Sequence, residues 1–319
     1  MREFSINRND SGQRLDKYLA KALPGLPPSL RSKYIRLKRI KVNGKRCEAN
    51  YRLEEGDLLQ LYINDEFFET PDPEQAWRKI TPNIHIVYED EHILLCDKMP
   101  GMVVHEDETG TDNTLINHIK AHLYQSGAWD PEQEASFTPA LCNRIDRNTG
   151  GIVIAAKTAA ALRIMNEKIR DREISKYYLC LVHGVPQKKE GKLTGYITRD
   201  TDKKQVTVSR TPVPGALTAQ MKYKLLGSRM DISLLECELL TGRTHQIRAQ
   251  FAHAGHPLLG DGKYGKLDKR FDRNYQALYS YKLTFTFTTD AEDLDYLNGK
   301  SFQVENVDFV QEYFPDYRK

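Results

Sequence analysis

Several things are missing from this 319-residue chain. No apolar run approaches the roughly 20 residues a membrane-crossing helix needs, which argues against a helical membrane protein. The first ten residues, Met1 to Asp10, are polar and contain no signal-peptide apolar core, so the expected location is the cytoplasm. Cysteine is sparse: Cys47, Cys96, Cys142, Cys180 and Cys237 are scattered, odd in number and form no C-x-x-C. That usage suits a reducing compartment and offers no zinc site; most of the five are expected to be small core hydrophobes. His245, His253 and His256 lie near one another, but their spacing matches no zinc-ligand pattern. There is no P-loop and no G-x-G-x-x-G, hence no nucleotide-cofactor signature. No cofactor and no metal are expected.

The composition is that of an ordinary globular protein, with 39% hydrophobic and 29% charged residues and a mean hydropathy of −0.61. The length suggests two domains. A net charge of +3 conceals an asymmetry. Residues 1–63 carry 14 Lys/Arg against 7 Asp/Glu, whereas the rest of the chain is slightly acidic. Arg31 to Arg46 holds eight basic residues and no acid. Such clustering points to a nucleic-acid-binding module joined to a near-neutral body.

Residues 12–63 read as one small domain. Leu15, Leu19 and Leu23 stand at helical spacing and Tyr18 and Ala22 widen the stripe. Pro24, Pro27 and Pro28 end that helix. A second helix is predicted from Ser29, with Leu30, Tyr34 and Leu37 inward and Arg31, Arg36 and Lys38 outward. Ile40-Lys41-Val42-Asn43-Gly44-Lys45 alternates into an Asn-Gly turn, a hairpin signal. Gly56-Asp57 turns the chain into a strand from Leu58 to Ile63. This stretch resembles the S4 RNA-binding domain, through Arg14-Leu15-Asp16, Ile40-Lys41-Val42-Asn43-Gly44 and Gly56-Asp57. Lys38 stands where that domain often has Gly. The resemblance implies RNA contacts from Arg14, Arg31, Arg36, Lys38, Arg39 and Lys45, mainly to phosphate and RNA shape.

Residues 64–82, acidic and with Pro71 and Pro73, read as a linker, and 83–319 as a second domain. There a hairpin is predicted from Ile84 to Cys96, helices over Leu115–Tyr124 and Ala159–Arg170, and a polar loop over 127–138. A strand is predicted over Ser175–Gly184, with Lys176, Tyr178, Cys180 and Val182 on one face. Exposed hairpins are expected within Lys188–Pro214. Two antiparallel strands, Ala216–Leu226 and Met230–Leu240, are expected to join at Gly227-Ser228, and a closing strand to run from Ala277 to Phe287. His105 reads as structural.

The chemistry centres on Asn143-Arg144-Ile145-Asp146-Arg147-Asn148-Thr149-Gly150-Gly151. Nearby positive charge favours an ionised carboxylate, so Asp146 between two arginines is a candidate nucleophile or base on a surface suited to a polyanion. The two glycines mark unusual backbone or close approach, and Ile152 to Ala156 reads as a short buried strand.

This block resembles the signature of the RluA family of pseudouridine synthases, His-Arg-Leu-Asp-x-x-Thr-Ser-Gly, with Asn143, Ile145 and Gly150 as mild departures. Further blocks follow in the family's order. They are Lys98-Met99-Pro100-Gly101 through His105; Lys176-Tyr177-Tyr178 through Gly184; and Gly242-Arg243-Thr244-His245-Gln246-Ile247-Arg248 leading to Gly260-Asp261. The resemblance implies an α+β fold: a small, mainly helical S4 module, then a mixed, mostly antiparallel sheet flanked by helices. It makes Asp146 the catalytic residue and places Tyr178 beneath the target base. It makes Arg248 the partner of Asp146, with Arg243 as the other possible contact, and lets Arg144 fill the gap left by a flipped uridine. Whether the carboxylate adds to the sugar or acts as a base stays open.

The expected activity is isomerisation of uridine to pseudouridine in structured RNA, most simply large-subunit ribosomal RNA or a pre-ribosomal particle, by a monomer. Transfer RNA is the alternative substrate. A non-catalytic RNA-binding assembly factor is a reading from another class. A hydrolytic glycosidase would need a second carboxylate, and the other blocks offer Arg and Tyr instead.

Overall fold

The computed structural model describes residues 1–68, 76–106, 110–134, 136–200 and 204–317. The middle of the expected linker, 69–75, and residues 201–203 within the expected exposed hairpins lie outside the described residues. No helix among the described residues is long and apolar enough to cross a membrane.

The first unit contains β1 (Arg2–Ser5), α1 (Leu15–Ala22), α2 (Pro28–Arg36), β2 (Ile40–Val42), β3 (Lys45–Arg46) and β4 (Leu58–Leu61). Its four strands pair in the order β1-β4-β2-β3. Beside its two helices the module carries a small sheet, and β1, drawn from residues ahead of position 12, adds an edge to it. The Asn-Gly signal forms the β2–β3 turn with φ of 50° and 75° at Asn43 and Gly44. Lys38 adopts φ 60°, the left-handed conformation that glycine takes most readily. Two inward and outward assignments on α2 change. Leu37 is exposed at 51%, because the helix ends at Arg36 and the chain turns at Lys38. Arg31 is half-buried and donates to the Asp16 and Leu26 carbonyls, so it ties α1 to α2 rather than pointing out.

The second unit contains β5 (His85–Glu89), β6 (Ile93–Lys98), α3 (Leu115–Gln125), β7 (Ala140–Leu141), β8 (Gly150–Ala156), α4 (Ala159–Arg170), β9 (Ile174–His183), β10 (Glu190–Asp200) and β11 (Gln205–Ser209). It continues with β12 (Leu217–Arg229), β13 (Ile232–Leu239), α5 (Gln246–His253), β14 (Leu278–Phe285), β15 (Ser301–Gln303) and α6 (Asp308–Tyr313). Among the described residues they build an 11-stranded sheet along β11-β10-β12-β13-β9-β14-β8-β6-β5, with β15 on β14 and β7 on β8. The β14–β8 pair is parallel and the other pairs are antiparallel.

The period-two reading of β9 separates two cores. Tyr178, Cys180 and Val182 face a cluster with α3 and with Ile247 and Phe251 of α5. Leu179 and Leu181 face the opposite cluster with α6. Strand β8 is buried throughout because it lies inside the sheet with α4 packed behind it. Each such Ile or Val contributes about 1.5–3 kcal/mol relative to exposure. Thr114 and Thr158 cap α3 and α4 through their side-chain oxygens. The turn between β12 and β13 falls at Met230-Asp231, both with positive φ, and not at Gly227-Ser228. Gly227 instead lies at a bulge within the pairing, a usual place for an in-strand glycine. The expected polar loop after α3 buries Trp129 and Phe137; Trp129 meets Trp77 with ring centroids 5.2 Å apart.

The two units touch through the loop after β1. Asn7 and Asn9 donate to Glu134, and Arg8 pairs with Asp293 at 2.7 Å.

Candidate active site

Asp146 sits on the loop between β7 and β8, on the α5 side of the sheet. Ile145 enters the core beside Val153, Tyr178 and Ile247, which fixes the loop's height and leaves the Asp146 side chain 26% exposed. The Asn143 side-chain oxygen accepts from the Ile154 amide at 2.8 Å, so the residue that departs from the family pattern ties the loop to β8. The Thr149 amide closes the turn onto the Asp146 carbonyl at 3.0 Å.

The glycines have a steric reason. A Cβ at Gly150 would lie 2.4 Å from the Tyr279 ring, and one at Gly151, where φ is +114°, 2.2 Å from the Ser280 carbonyl oxygen. Only glycine lets β14 run this close beside β8.

A second anchor comes from β6. Lys98 is 1% exposed, and its Nζ donates to the carbonyls of Met99, Met102 and Arg147 at 2.8–3.0 Å. One ammonium thus joins the Pro100-Gly101 turn to the residue after Asp146. Burial lowers its pKa to about 8, with Asp146 opposing that shift.

The carboxylate is met by α5. Arg248 Nη1 donates to Asp146 Oδ2 at 2.9 Å. Arg248 Nε and Nη2 form a fork on Asp261 at 2.7 and 2.9 Å. Asp261 is 1% exposed and also accepts from the Lys263 and Tyr264 amides. A planar guanidinium gripped along its Nε–Nη2 edge has little freedom left, so its Nη1 presents a fixed N–H to Asp146. Arg243 takes no part in this; its Nε donates to the Thr218 carbonyl.

Tyr178 lies on β9 under the same space and is buried at 6% exposure. Burial first, and then the Asp146 charge, push its phenol up to about 12, so it stays protonated. Arg144 is exposed, and its charge helps lower the pKa of His105, chiefly lowered by burial. The structure thus brings Asp146, Tyr178 and Arg248 together and leaves Arg144 at the rim.

In the first unit Arg36, Lys38, Arg39 and Lys45 are exposed. Arg14 is also exposed but is committed to Asp16 through two hydrogen bonds. Sequence reasoning missed Lys98 and Asp261 as site residues. Both lay in blocks already singled out, but the signal that each is a clamp is its burial, which a one-dimensional pattern does not carry.

The RNA pseudouridylate synthase family model matches residues 92–253 and the S4-domain model residues 13–59. The chain is 29% identical over 296 residues to the uncharacterized RNA pseudouridine synthase YlyB of Bacillus subtilis, covering 92% of each chain. It is 31% identical to ribosomal large subunit pseudouridine synthase C of Escherichia coli, over 84% of this chain and 81% of that protein. Among solved structures, human RNA pseudouridylate synthase domain containing 1 superposes with a TM-score of 0.52 at 20% identity, covering 73% of this chain and 96% of that one. That likeness concerns the fold alone.

Proposed function

Because the chain belongs to the RNA pseudouridylate synthase family and is an RNA-directed isomerase, we propose that Asp146 is the carboxylate that drives its reaction and that large-subunit ribosomal RNA is its substrate. The observation that carries the first part is the contact between Arg248 Nη1 and Asp146 Oδ2, with Tyr178 beneath. The reaction breaks the bond between C1′ and N1, turns the base, joins C1′ to C5, releases the C5 proton and leaves a proton from solvent on N1. It consumes no oxidant and needs no leaving group beyond the base itself. One carboxylate beside C1′ is sufficient, provided the detached base is held. The flat, protonated Tyr178 offers the base a stacking surface.

The target uridine must leave its stack, at a cost of about a few kcal/mol. Arg144, exposed and two residues ahead of Asp146, fills the gap. Residues 12–63, with β1 added at the edge of their sheet, form the S4 module, 64–82 the linker and 83–319 the catalytic domain. The exposed cations Arg36, Lys38, Arg39 and Lys45 hold phosphates, with Arg14 and Arg31 contributing less because both have partners within the module. Support for ribosomal RNA is the likeness to proteins named for the large ribosomal subunit. The enzyme works as a monomer in the cytoplasm.

Tritium release from RNA labelled at uridine C5 tests this. Large-subunit rRNA, small-subunit rRNA and bulk tRNA from cells lacking the protein would be compared with wild type, Asp146→Asn and Arg144→Ala. Release from large-subunit rRNA alone, absent with Asp146→Asn and reduced with Arg144→Ala, is expected. Release from tRNA alone would replace the substrate assignment. Full activity of Asp146→Asn would remove the assignment of the carboxylate.

A further inference from the structure

Arg248 donates to Asp146 Oδ2. The same oxygen is faced by a second group that the reaction as described does not use. His245 Nε2 lies 3.8 Å from Asp146 Oδ2, and its Nδ1 is 2.8 Å from the Tyr264 hydroxyl. His245 holds φ 51° just ahead of α5. A left-handed residue without glycine stores strain, and here the unusual backbone aims the imidazole across the mouth of the site.

The direction of each hydrogen bond in this group follows from its ends. The Val206 amide on β11 donates to the Tyr264 oxygen at 2.9 Å. The Tyr264 hydroxyl proton is then free to go to His245 Nδ1, and the carboxylate facing Nε2 selects that direction. The imidazole proton then lies on Nε2, the nitrogen facing Asp146. The opposite tautomer would point a lone pair at a carboxylate. Burial raises the pKa of Tyr264 and lowers that of His245, which keeps the phenol a donor and the imidazole neutral. Asp261 helps fix the far end by accepting from the Tyr264 amide, and the Arg248 guanidinium lies 5.2 Å from the Tyr264 ring centre.

We propose that His245 and Tyr264 are positioning residues for Asp146. A one-way hydrogen-bond chain runs from the Val206 amide through the Tyr264 hydroxyl to His245, leaving Nε2–H as a second donor that closes on Asp146 when RNA fills the site. The inference rests on the reading of Asp146 as the catalytic carboxylate. The 3.8 Å separation belongs to the free enzyme, and catalytic contacts commonly tighten in the complex. With two donors on Oδ2, the carboxylate is held from swinging away from C1′ as the detached base turns.

The test is single-turnover tritium release from large-subunit rRNA, with RNA affinity measured in parallel. The proteins are wild type, His245→Ala, His245→Gln, Tyr264→Phe, the His245→Ala/Tyr264→Phe double variant and Asp146→Asn. His245→Ala and Tyr264→Phe should each slow the step about 10–100-fold, the cost of a displaced reacting group, with RNA affinity within about two-fold of wild type. The double variant should be no slower than His245→Ala, because both break one chain. His245→Gln, which keeps an N–H donor, should recover several-fold over the alanine variant.

The imidazole is faced by Asp146, Arg248, Lys263, Asp261 and Tyr264. Protonation puts a hydrogen on Nδ1 and turns the Tyr264 hydroxyl away. The wild-type rate should therefore fall as pH drops through the lowered imidazole pKa, and His245→Gln should lack that limb. Wild-type rates in both His245→Ala and Tyr264→Phe, or an unchanged acid limb in His245→Gln, would overturn the inference while an inactive Asp146→Asn left the catalytic assignment standing. An active Asp146→Asn would overturn both.

Discussion

Arg36, Lys38, Arg39 and Lys45 stand exposed on the S4 module, whereas Arg248 and Lys98 of the catalytic domain are buried and each serves several partners. The same two residue types act here through different physics. Exposed cations attract phosphate through a screened field, so their number matters and no single one is indispensable. Buried cations act by geometry in a weakly screened interior, so each is unique and its loss leaves a partner stranded. The comparison teaches that the basic stretch Arg31–Arg46 presents many exposed and interchangeable charges, while Arg248 and Lys98 each hold one fixed arrangement around the Asp146 loop.

The strongest way to break this contrast is at the carboxylate. Asp146→Asn should reduce tritium release about 10⁴-fold or more while leaving RNA affinity and the melting temperature close to wild type. Loss of affinity instead would mean that the site binds rather than reacts. Next comes Arg248→Met, which strands the buried Asp261. It should lower unfolding free energy in urea by about 3–5 kcal/mol and abolish measurable activity. A stability change within error would show that the fork on Asp261 is idle.

Lys98→Met should be milder, about 1–3 kcal/mol for three carbonyls losing their donor, with a slower reaction. The pH dependence sharpens this. The folded pKa of Lys98 is depressed to about 8 from 10.5, so between those values the unfolded chain binds the extra proton. Lys98 therefore makes stability rise with pH across that window; below about pH 8 both states hold the proton and its slope vanishes. Urea melts from pH 7.5 to 10 should show a shallower rise in Lys98→Met than in wild type.

The smallest effects belong to the S4 module. Arg39→Ala or Lys45→Ala should weaken RNA binding a few-fold, reduce the salt slope by about one and leave the single-turnover rate at saturating RNA unchanged. Arg14→Ala should do still less, because Asp16 already holds its guanidinium. A single S4 substitution that abolished turnover would erase the distinction between the two regions.

Much of the architecture could be read from local pattern because the cause was local. The Asn43-Gly44 turn, the leucine spacing of α1, the alternation of β9 and the limits of α4 depend on neighbours a few residues away. The Asp146 block stood out because charge, glycines and an apolar strand are contiguous, but its catalytic reading came from the family resemblance and not from local pattern. What escaped depends on distant partners. The pairing of β1 with β4, the burial of Lys98 and the clamp of Asp261 on Arg248 are set by segments far apart in the chain. The Met230-Asp231 turn escaped because methionine is an unusual residue at positive φ, while Gly227-Ser228 offered a stronger but misleading turn signal.

The parallel pairing of β14 with β8 bears on how the protein is made. Strand β14 lies between β9 and β8, so among the described residues it joins the two portions of the large sheet. During synthesis the Asp146 loop leaves the ribosome well before Leu278–Phe285, and Gly150 and Gly151 wait for the strand that packs against them. Such late, long-range closure is slow. A growing chain therefore presents its S4 module and the Asp146 loop before β14 has packed that loop in place.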